Sequence, residues 1–191
     1  MRFGRVAVWL TMLSGAIALA SPAHAALADW KGHLEVGYAK LIQGAAPSGG
    51  ISVATGVDYP LNSRLRLGPD FSYHLLGTRS VLNGSINGSL DYSMWEVGLR
   101  AQWNPRSLGP LRRVTFGPAL MGVSAQVSSS SAGLAFENEE VSGLRGGLAL
   151  DLAWLPAHDS PVRPGVEFGT RAAFAGHDTW TVVTARFLLS Y

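Results

Sequence analysis

The chain has 191 residues, of which 47% are hydrophobic and 15% are charged, with 23 glycines and no cysteine. Two of its cations, Arg2 and Arg5, lie in residues 1–25, and the remaining 166 residues carry 13 basic and 13 acidic side chains. This balance argues against nucleic-acid binding, which needs clustered excess Lys and Arg. The hydrophobic and glycine contents exclude a disordered tail and a coiled coil, and the length predicts one domain.

The first 25 residues have the features of a signal peptide. Arg2 and Arg5 precede an apolar run over residues 6–20, and Ala23-His24-Ala25 has the form of a signal-peptidase site. The run is short for a membrane-spanning helix, which needs about 20 apolar residues. We therefore predict a cleaved signal peptide over 1–25 and a single mature domain over 26–191.

The mature chain is dominated by a period of two, which is typical of β-strands. In residues 65–75, for example, the odd positions are apolar or aromatic and the even positions are mostly polar, and helical spacing fits none of the segments. Eight such segments predict eight strands. They cover residues 32–42, 51–59, 65–75, 95–103, 113–125, 144–154, 166–174 and 183–191.

The connections between these segments differ in character. Three are long and rich in small or polar residues, and the second of them contains two Asn-Gly turn signals, at 83–84 and 87–88. The long connections are 44–50, 77–89 and 128–140; the shorter ones are 60–63, 104–112 and 156–163, with a brief one around 176–178.

One face of the strands is almost free of charge, and the other carries acids and arginines of both signs. A soluble sandwich or a lipocalin-like barrel would turn the apolar face inward, whereas a transmembrane barrel turns it toward lipid. The second arrangement is favoured, since a charged set of near-neutral sum is what a packed lumen requires. The predicted lumen ion-pair network is Glu35, Asp58, Arg66, Asp70, Glu96, Arg100, Arg145, Asp151, Glu167, Arg171 and Arg186.

Glycines on the charged face support the same orientation. Glycine weakens a strand and brings no gain on a solvated face, but in the narrow lumen of an eight-stranded barrel it makes room for an arginine opposite. Seven strands carry one there. They are Gly37, Gly56, Gly68, Gly98, Gly117, Gly147 and Gly169.

Aromatic residues cluster at one level of the predicted barrel. Trp30 begins the first strand, and Tyr59, Trp103, Trp154 and Tyr191 end the second, fourth, sixth and eighth. In an antiparallel barrel these ends share one rim, where they would form an interfacial aromatic girdle. The predicted fold class is therefore an all-β, eight-stranded antiparallel transmembrane β-barrel with a packed polar lumen.

The whole mature chain resembles the small OmpA/OmpX-type outer-membrane β-barrel family. The resemblance implies a place in the outer membrane of a Gram-negative envelope, in contact with lipid and lipopolysaccharide. It also implies that the last strand, with Phe187, Leu189 and Tyr191, is the signal read by the barrel-assembly machinery. Pro69 and Pro118, each after a glycine, depart from a regular paired strand and suggest bulges or a local bend.

The length argues against a general diffusion pore, because porins need 16–18 strands of about 10 residues. The leading hypothesis is a structural or surface-interaction role with a charge-plugged lumen. One alternative is an outer-leaflet lipid A hydrolase with Ser72 as nucleophile, His74 as base and Glu96 beside Ser72; another is a narrow ion channel. The sequence predicts no cofactor and no metal site, and it does not identify a surface partner.

Overall fold

A computed structural model describes residues 30–42, 49–83, 86–105, 111–129, 143–156, 161–175 and 178–191. The predicted signal peptide over 1–25 lies outside these residues, as does most of the predicted connection 128–140. No helix within the described ranges has the length and apolar character needed to cross a membrane.

The described residues form eight strands in one closed antiparallel barrel. Each strand pairs with the next in the chain, and β8 pairs with β1 to close the sheet. The predicted all-β, eight-stranded antiparallel barrel is confirmed. The strands are β1 (Lys31–Leu41), β2 (Gly50–Pro60), β3 (Leu65–Asn83), β4 (Ile86–Trp103), β5 (Leu111–Ser129), β6 (Gly143–Trp154), β7 (Arg163–Ala175) and β8 (Asp178–Ser190).

The apolar faces of the strands point outward and the charged faces point into the lumen. Leu99 and Leu150 are 50% and 43% exposed, whereas Arg100 and Glu167 are each 2% exposed. Only a surrounding that is itself apolar makes this arrangement favourable, because water would leave the outer leucines exposed and the inner charges desolvated. The barrel therefore has the orientation of a transmembrane β-barrel.

Three strands are longer than predicted. β3, β4 and β5 have 18 or 19 residues, against 11–13 in the other five strands. The prediction of a long loop over 77–89 is wrong, since β3 continues to Asn83 and β4 begins at Ile86. We call the segments 77–83, 86–93 and 124–129 the projecting ribbon, because the strands beside them end earlier.

The projecting ribbon begins at a β-bulge. Between Leu75 and Gly77 the register with β4 shifts by one residue, and the extra residue, Leu76, is fully buried. Beyond the bulge the outward positions of the hairpin become polar: Thr78 and Asp91 are directly opposite each other, and the Thr78 hydroxyl donates to the Asp91 carboxylate at 2.5 Å. About 10 tilted residues suffice to cross a bilayer, so these polar positions mark where the strands leave the lipid.

The two Gly-Pro pairs, Gly68-Pro69 and Gly117-Pro118, have equivalent settings in β3 and β5. At each pair the ladder to the preceding strand skips two residue pairs, while pairing with the following strand continues. A Cβ on Gly68 or Gly117 would overlap a carbonyl oxygen of that preceding strand. At each pair the two backbones approach closely and the ladder to the preceding strand is interrupted, so a proline, which has no N–H to donate, is tolerated.

Candidate functional site in the barrel lumen

Buried charges from seven strands meet in the lumen and form one continuous ion-pair cluster. Each of its side chains belongs to a residue exposed by 7% or less. The cluster joins the arginines Arg100, Arg113, Arg171 and Arg186 to the carboxylates Glu35, Asp70, Glu96, Asp151 and Glu167.

Asp151 on β6 is the most connected carboxylate of this ion-pair cluster. Arg100 donates to its Oδ2 at 2.6 Å and Arg186 to its Oδ1 at 2.9 Å. Arg171 donates to both oxygens, with the Oδ2 contact at 3.1 Å. Three guanidinium groups thus share one carboxylate, so the negative charge of Asp151 compensates the positive charge of several lumen arginines at once.

A second centre of the ion-pair cluster lies between Glu35 and Glu167. Arg113 donates to both carboxylates, at 2.9 Å and 2.6 Å. Arg186 also spans them, at 3.1 Å from Glu35 and 2.6 Å from Glu167. Arg113 was not among the predicted lumen residues, although it shares its face with Thr115. It follows Arg112, the extra residue of a bulge between Leu111 and Arg113. Pairing is regular from Arg113 onward, so the parity that it shares with Thr115 was the sequence signal for its inward position.

His33, which the sequence places at the rim or in the lumen, was not part of the predicted ion-pair network. Its Nε2 lies 3.0 Å from Asp70 Oδ2, and its Nδ1 lies 3.7 Å from Asp58 Oδ2. Asp58 thereby lies beside the ion-pair cluster. Among the described residues, no group of three or more His, Asp or Glu side chains is arranged to hold a metal ion.

Two of the predicted network arginines lie away from the centre of the ion-pair cluster. Arg66 lies near the strand ends and donates to the backbone carbonyl of Asp58 at 2.7 Å. Arg145 is half-buried and forms no ion pair with a carboxylate of the described residues. Their parity is inward as predicted, but both lie toward the ends of their strands, away from the carboxylates at mid-barrel.

The three residues of the hydrolase hypothesis do lie together. Ser72 Oγ is 3.0 Å from His74 Nε2 and donates to Glu96 Oε2 at 3.2 Å, while Ser52 Oγ is 2.9 Å from His74 Nδ1. All four residues are completely buried. The four side chains form a buried polar network, which Arg171 adjoins through its contact with Glu96.

Two glycines of the charged face make room for these polar groups. A Cβ on Gly169 would overlap the Asp151 carboxylate and the Arg171 guanidinium and would lie 2.8 Å from Thr184 Oγ1. A Cβ on Gly56 would lie 2.6 Å from the imidazole of His33. The predicted reason for lumen glycine holds at these positions, whereas Gly68 and Gly117 instead accommodate neighbouring backbone.

The other half of the lumen, toward the projecting ribbon, is mainly apolar, apart from the half-buried Arg145 opposite Met121. Tyr92 and Trp180 pack against a cluster of buried hydrophobic residues there, with their ring centroids 6.0 Å apart. We call these residues the apolar cap. Its buried members are Ala39, Leu41, Leu76, Met94, Ala119, Met121, Val123, Ala173 and Val182.

Little space remains inside the ion-pair cluster. The cavity bounded by His33, Arg100, Arg113 and the carboxylates around them has a volume of about 10 Å³. This is at most the room that one water molecule needs.

The rim at which β1 begins and β8 ends, here the terminal rim, carries four of the five predicted girdle aromatics. Tyr59, Trp103 and Trp154 lie at the ends of β2, β4 and β6, and Tyr191 follows β8. Tyr59, Trp103 and Tyr191 are 41–60% exposed, and Trp154 packs edge-on against Phe168 with centroids 5.7 Å apart. The fifth, Trp30, immediately precedes β1 and is 36% exposed.

The fold and its ion-paired lumen define an eight-stranded transmembrane β-barrel. Several solved structures share this fold, including the following two. Neisserial surface protein A has a TM-score of 0.58 at 14% identity, covering 85% of this chain and 96% of that one. A major outer membrane protein from Thermus thermophilus has a TM-score of 0.55 at 14% identity, covering 85% and 99%.

At this identity the likeness concerns the fold. No protein-family model matches the chain. No curated protein matches it either.

Proposed function

We propose that this chain is a small outer-membrane β-barrel whose lumen is closed to ions and whose role is structural, with a surface for interaction at the projecting ribbon. The observation that carries the proposal is the filling of the lumen in two successive layers, the ion-pair cluster and the apolar cap. The fold likeness to a Neisserial surface protein and to a major outer membrane protein of Thermus thermophilus, together with the predicted signal peptide, supports the location.

Each layer opposes ion passage for a different reason. In the ion-pair cluster, an ion would have to replace guanidinium–carboxylate contacts such as that between Arg100 and Asp151, at 2.6 Å. Removing one partner of a buried pair costs about 3–5 kcal/mol. In the apolar cap, which includes Leu76 and Met121, both 0% exposed, an ion would lose its hydration without finding a polar ligand.

The two ends of the barrel suit different surroundings. Short turns, such as the one between Pro60 and Leu65, lie at the terminal rim, and in outer-membrane barrels short turns face the periplasm. The projecting ribbon would then extend outside the cell beyond the lipopolysaccharide headgroups, where its paired strands hold polar residues such as Thr78 clear of the membrane. The last strand, with Phe187 and Leu189 followed by Tyr191, would be the contact for the barrel-assembly machinery.

Conductance tests the closed lumen. Purified protein, checked to be folded by its faster gel migration before boiling, is inserted into planar bilayers beside a 16-stranded porin as positive control. We expect no discrete conductance steps. Regular steps from the folded protein would contradict a closed lumen and favour the narrow channel.

Cysteine labelling tests the orientation, and the chain has no native cysteine. Thr78→Cys in the projecting ribbon and Ser63→Cys in a turn of the terminal rim are both at exposed positions. In intact cells a membrane-impermeant maleimide should label the Thr78 variant, and it should label the Ser63 variant after the outer membrane is opened. The opposite labelling pattern would show that the projecting ribbon faces the periplasm. Labelling of both variants in a soluble periplasmic fraction would contradict an outer-membrane location.

A further inference from the structure

A basic vestibule opens at the terminal rim. It has a volume of about 790 Å³ and is lined by Lys31 and five arginines, with no Asp or Glu side chain among its lining residues. Arg113 is held by the ion-pair cluster, and Arg66 donates to the Asp58 carbonyl. The other four cations are exposed and form no ion pair with a carboxylate of the described residues. They are Lys31, Arg64, Arg112 and Arg163.

An apolar groove on the outer, lipid-facing surface adjoins this vestibule. It has a volume of about 510 Å³, and its walls include Trp154, Val166 and Phe187. Val166 and Phe187 are about half exposed, at 47% and 52%. The groove and the basic vestibule share Arg112, together with Leu155 and Pro156, so an apolar channel along the barrel wall leads directly to a cluster of cations.

Two local features fix the position of Arg112 and the level of the groove. Arg112 is the extra residue of the β5 bulge, which lets Arg113 turn into the lumen while Arg112 remains exposed beside the groove. Bulges re-aim side chains in this way. Trp154, at the end of β6, belongs to the aromatic girdle, and such residues lie at the level of the lipid headgroups. The junction therefore lies where a phosphate group and the start of an acyl chain meet.

We propose that this junction is a binding site for an anionic phospholipid of the periplasmic leaflet, such as phosphatidylglycerol. The phosphate would lie against Arg112 and Arg163, and one acyl chain would lie along the groove over Val166 and Phe187. Charge complementarity selects an anionic headgroup, and the groove selects a ligand with an acyl chain over a soluble anion. The proposal rests on the proposed membrane location of the barrel.

Native mass spectrometry of the folded, detergent-solubilised protein can measure this site. The protein is titrated with phosphatidylglycerol, with zwitterionic phosphatidylcholine of the same chains, and with glycerophosphoglycerol, which has the headgroup without chains. The test variant is Arg112→Gln/Arg163→Gln. The matched control is Arg79→Gln, which removes an exposed arginine from the projecting ribbon. Gel migration before and after boiling shows that each variant is folded.

We expect phosphatidylglycerol to bind the wild type more tightly than phosphatidylcholine and glycerophosphoglycerol. Two interfacial arginines contribute about a 30-fold factor in affinity for an anionic lipid, so the double variant should lose about that factor while Arg79→Gln binds as the wild type does. Equal binding of both lipids, an unchanged double variant, or equal binding of glycerophosphoglycerol would each overturn the proposal. If these results come from a protein whose gel migration changes on boiling, only the lipid site is contradicted and the barrel proposal stands. A wild-type protein whose migration does not change on boiling would contradict the barrel itself.

Discussion

Replacing Asp151 by asparagine should destabilise the barrel strongly, although the shape of the side chain is preserved. Arg100, Arg171 and Arg186 all donate to this carboxylate. An amide keeps one acceptor oxygen, but it is neutral, and its NH₂ group faces guanidinium donors. Arg100 and Arg171 keep contacts with Glu96, and Arg186 keeps Glu35 and Glu167. Since breaking a buried pair costs about 3–5 kcal/mol, we expect a loss of about 4 kcal/mol in the free energy of unfolding.

The assay is reversible urea unfolding in detergent micelles or lipid vesicles, followed by tryptophan fluorescence and by gel migration. The control is Asp91→Asn in the projecting ribbon, where the carboxylate is exposed and accepts from Thr78; its cost should stay below about 1 kcal/mol. In the Asp151→Asn background, Arg171→Met should cost less than it does alone, because the asparagine has already removed the carboxylate that Arg171 contacts through both of its oxygens. Equal effects of Asp151→Asn and Asp91→Asn, or additive effects of the two lumen changes, would refute the argument.

Three further predictions test other parts of the barrel. Gly169→Ala should lower the free energy of unfolding by about 1–3 kcal/mol, because the added Cβ overlaps the buried Asp151–Arg171 ion pair. The control is Gly146→Ala, whose Cβ meets nothing within 4 Å and which should change the free energy of unfolding by less than about 0.5 kcal/mol. Ser72→Ala should leave the lipid A acyl pattern unchanged in mass spectrometry of membranes, and an altered pattern would restore the hydrolase hypothesis. Phe187→Ala should lower the yield of heat-modifiable protein in cells more than Phe174→Ala, which is similarly exposed on β7; equal yields would contradict an assembly signal in β8.

The number and orientation of the strands were predictable because lipid imposes the pattern directly. Every outward position that faces acyl chains must be apolar, so a position such as Leu99 alternates with one such as Arg100 over the width of the bilayer. The same reasoning explains why the projecting ribbon was missed. Once β3 passes Gly77 it leaves the lipid, and polar residues occur on both faces, as at Thr78 on one and Arg79 on the other. A polar stretch of sequence that contains Asn-Gly turn signals predicts a loop and not a strand.

The pairing inside the lumen was less predictable than the identity of its charged residues. Parity places Arg145 and Arg171 on the same inward face, but it does not say how far each lies from mid-barrel, and Arg145 lies too near its strand end to join the ion-pair cluster. The apolar cap was missed for a related reason. Met121 and Val123 share an inward face with Arg113, and where both faces of a strand are apolar, a period of two no longer distinguishes lumen from lipid.

The geometry of the ion-pair cluster indicates what it contributes to the fold. Arg113 on β5 contacts Glu35 on β1, and Arg100 on β4 contacts Asp151 on β6. Neither contact joins neighbouring strands, so both require a sheet that has already curved toward closure. A buried pair has little net stability to offer over a well-packed apolar core, but an unpaired charge in the lumen is costly. An incompletely closed or misregistered barrel would contain such charges, so the ion-pair cluster penalises those states and favours the single closed register.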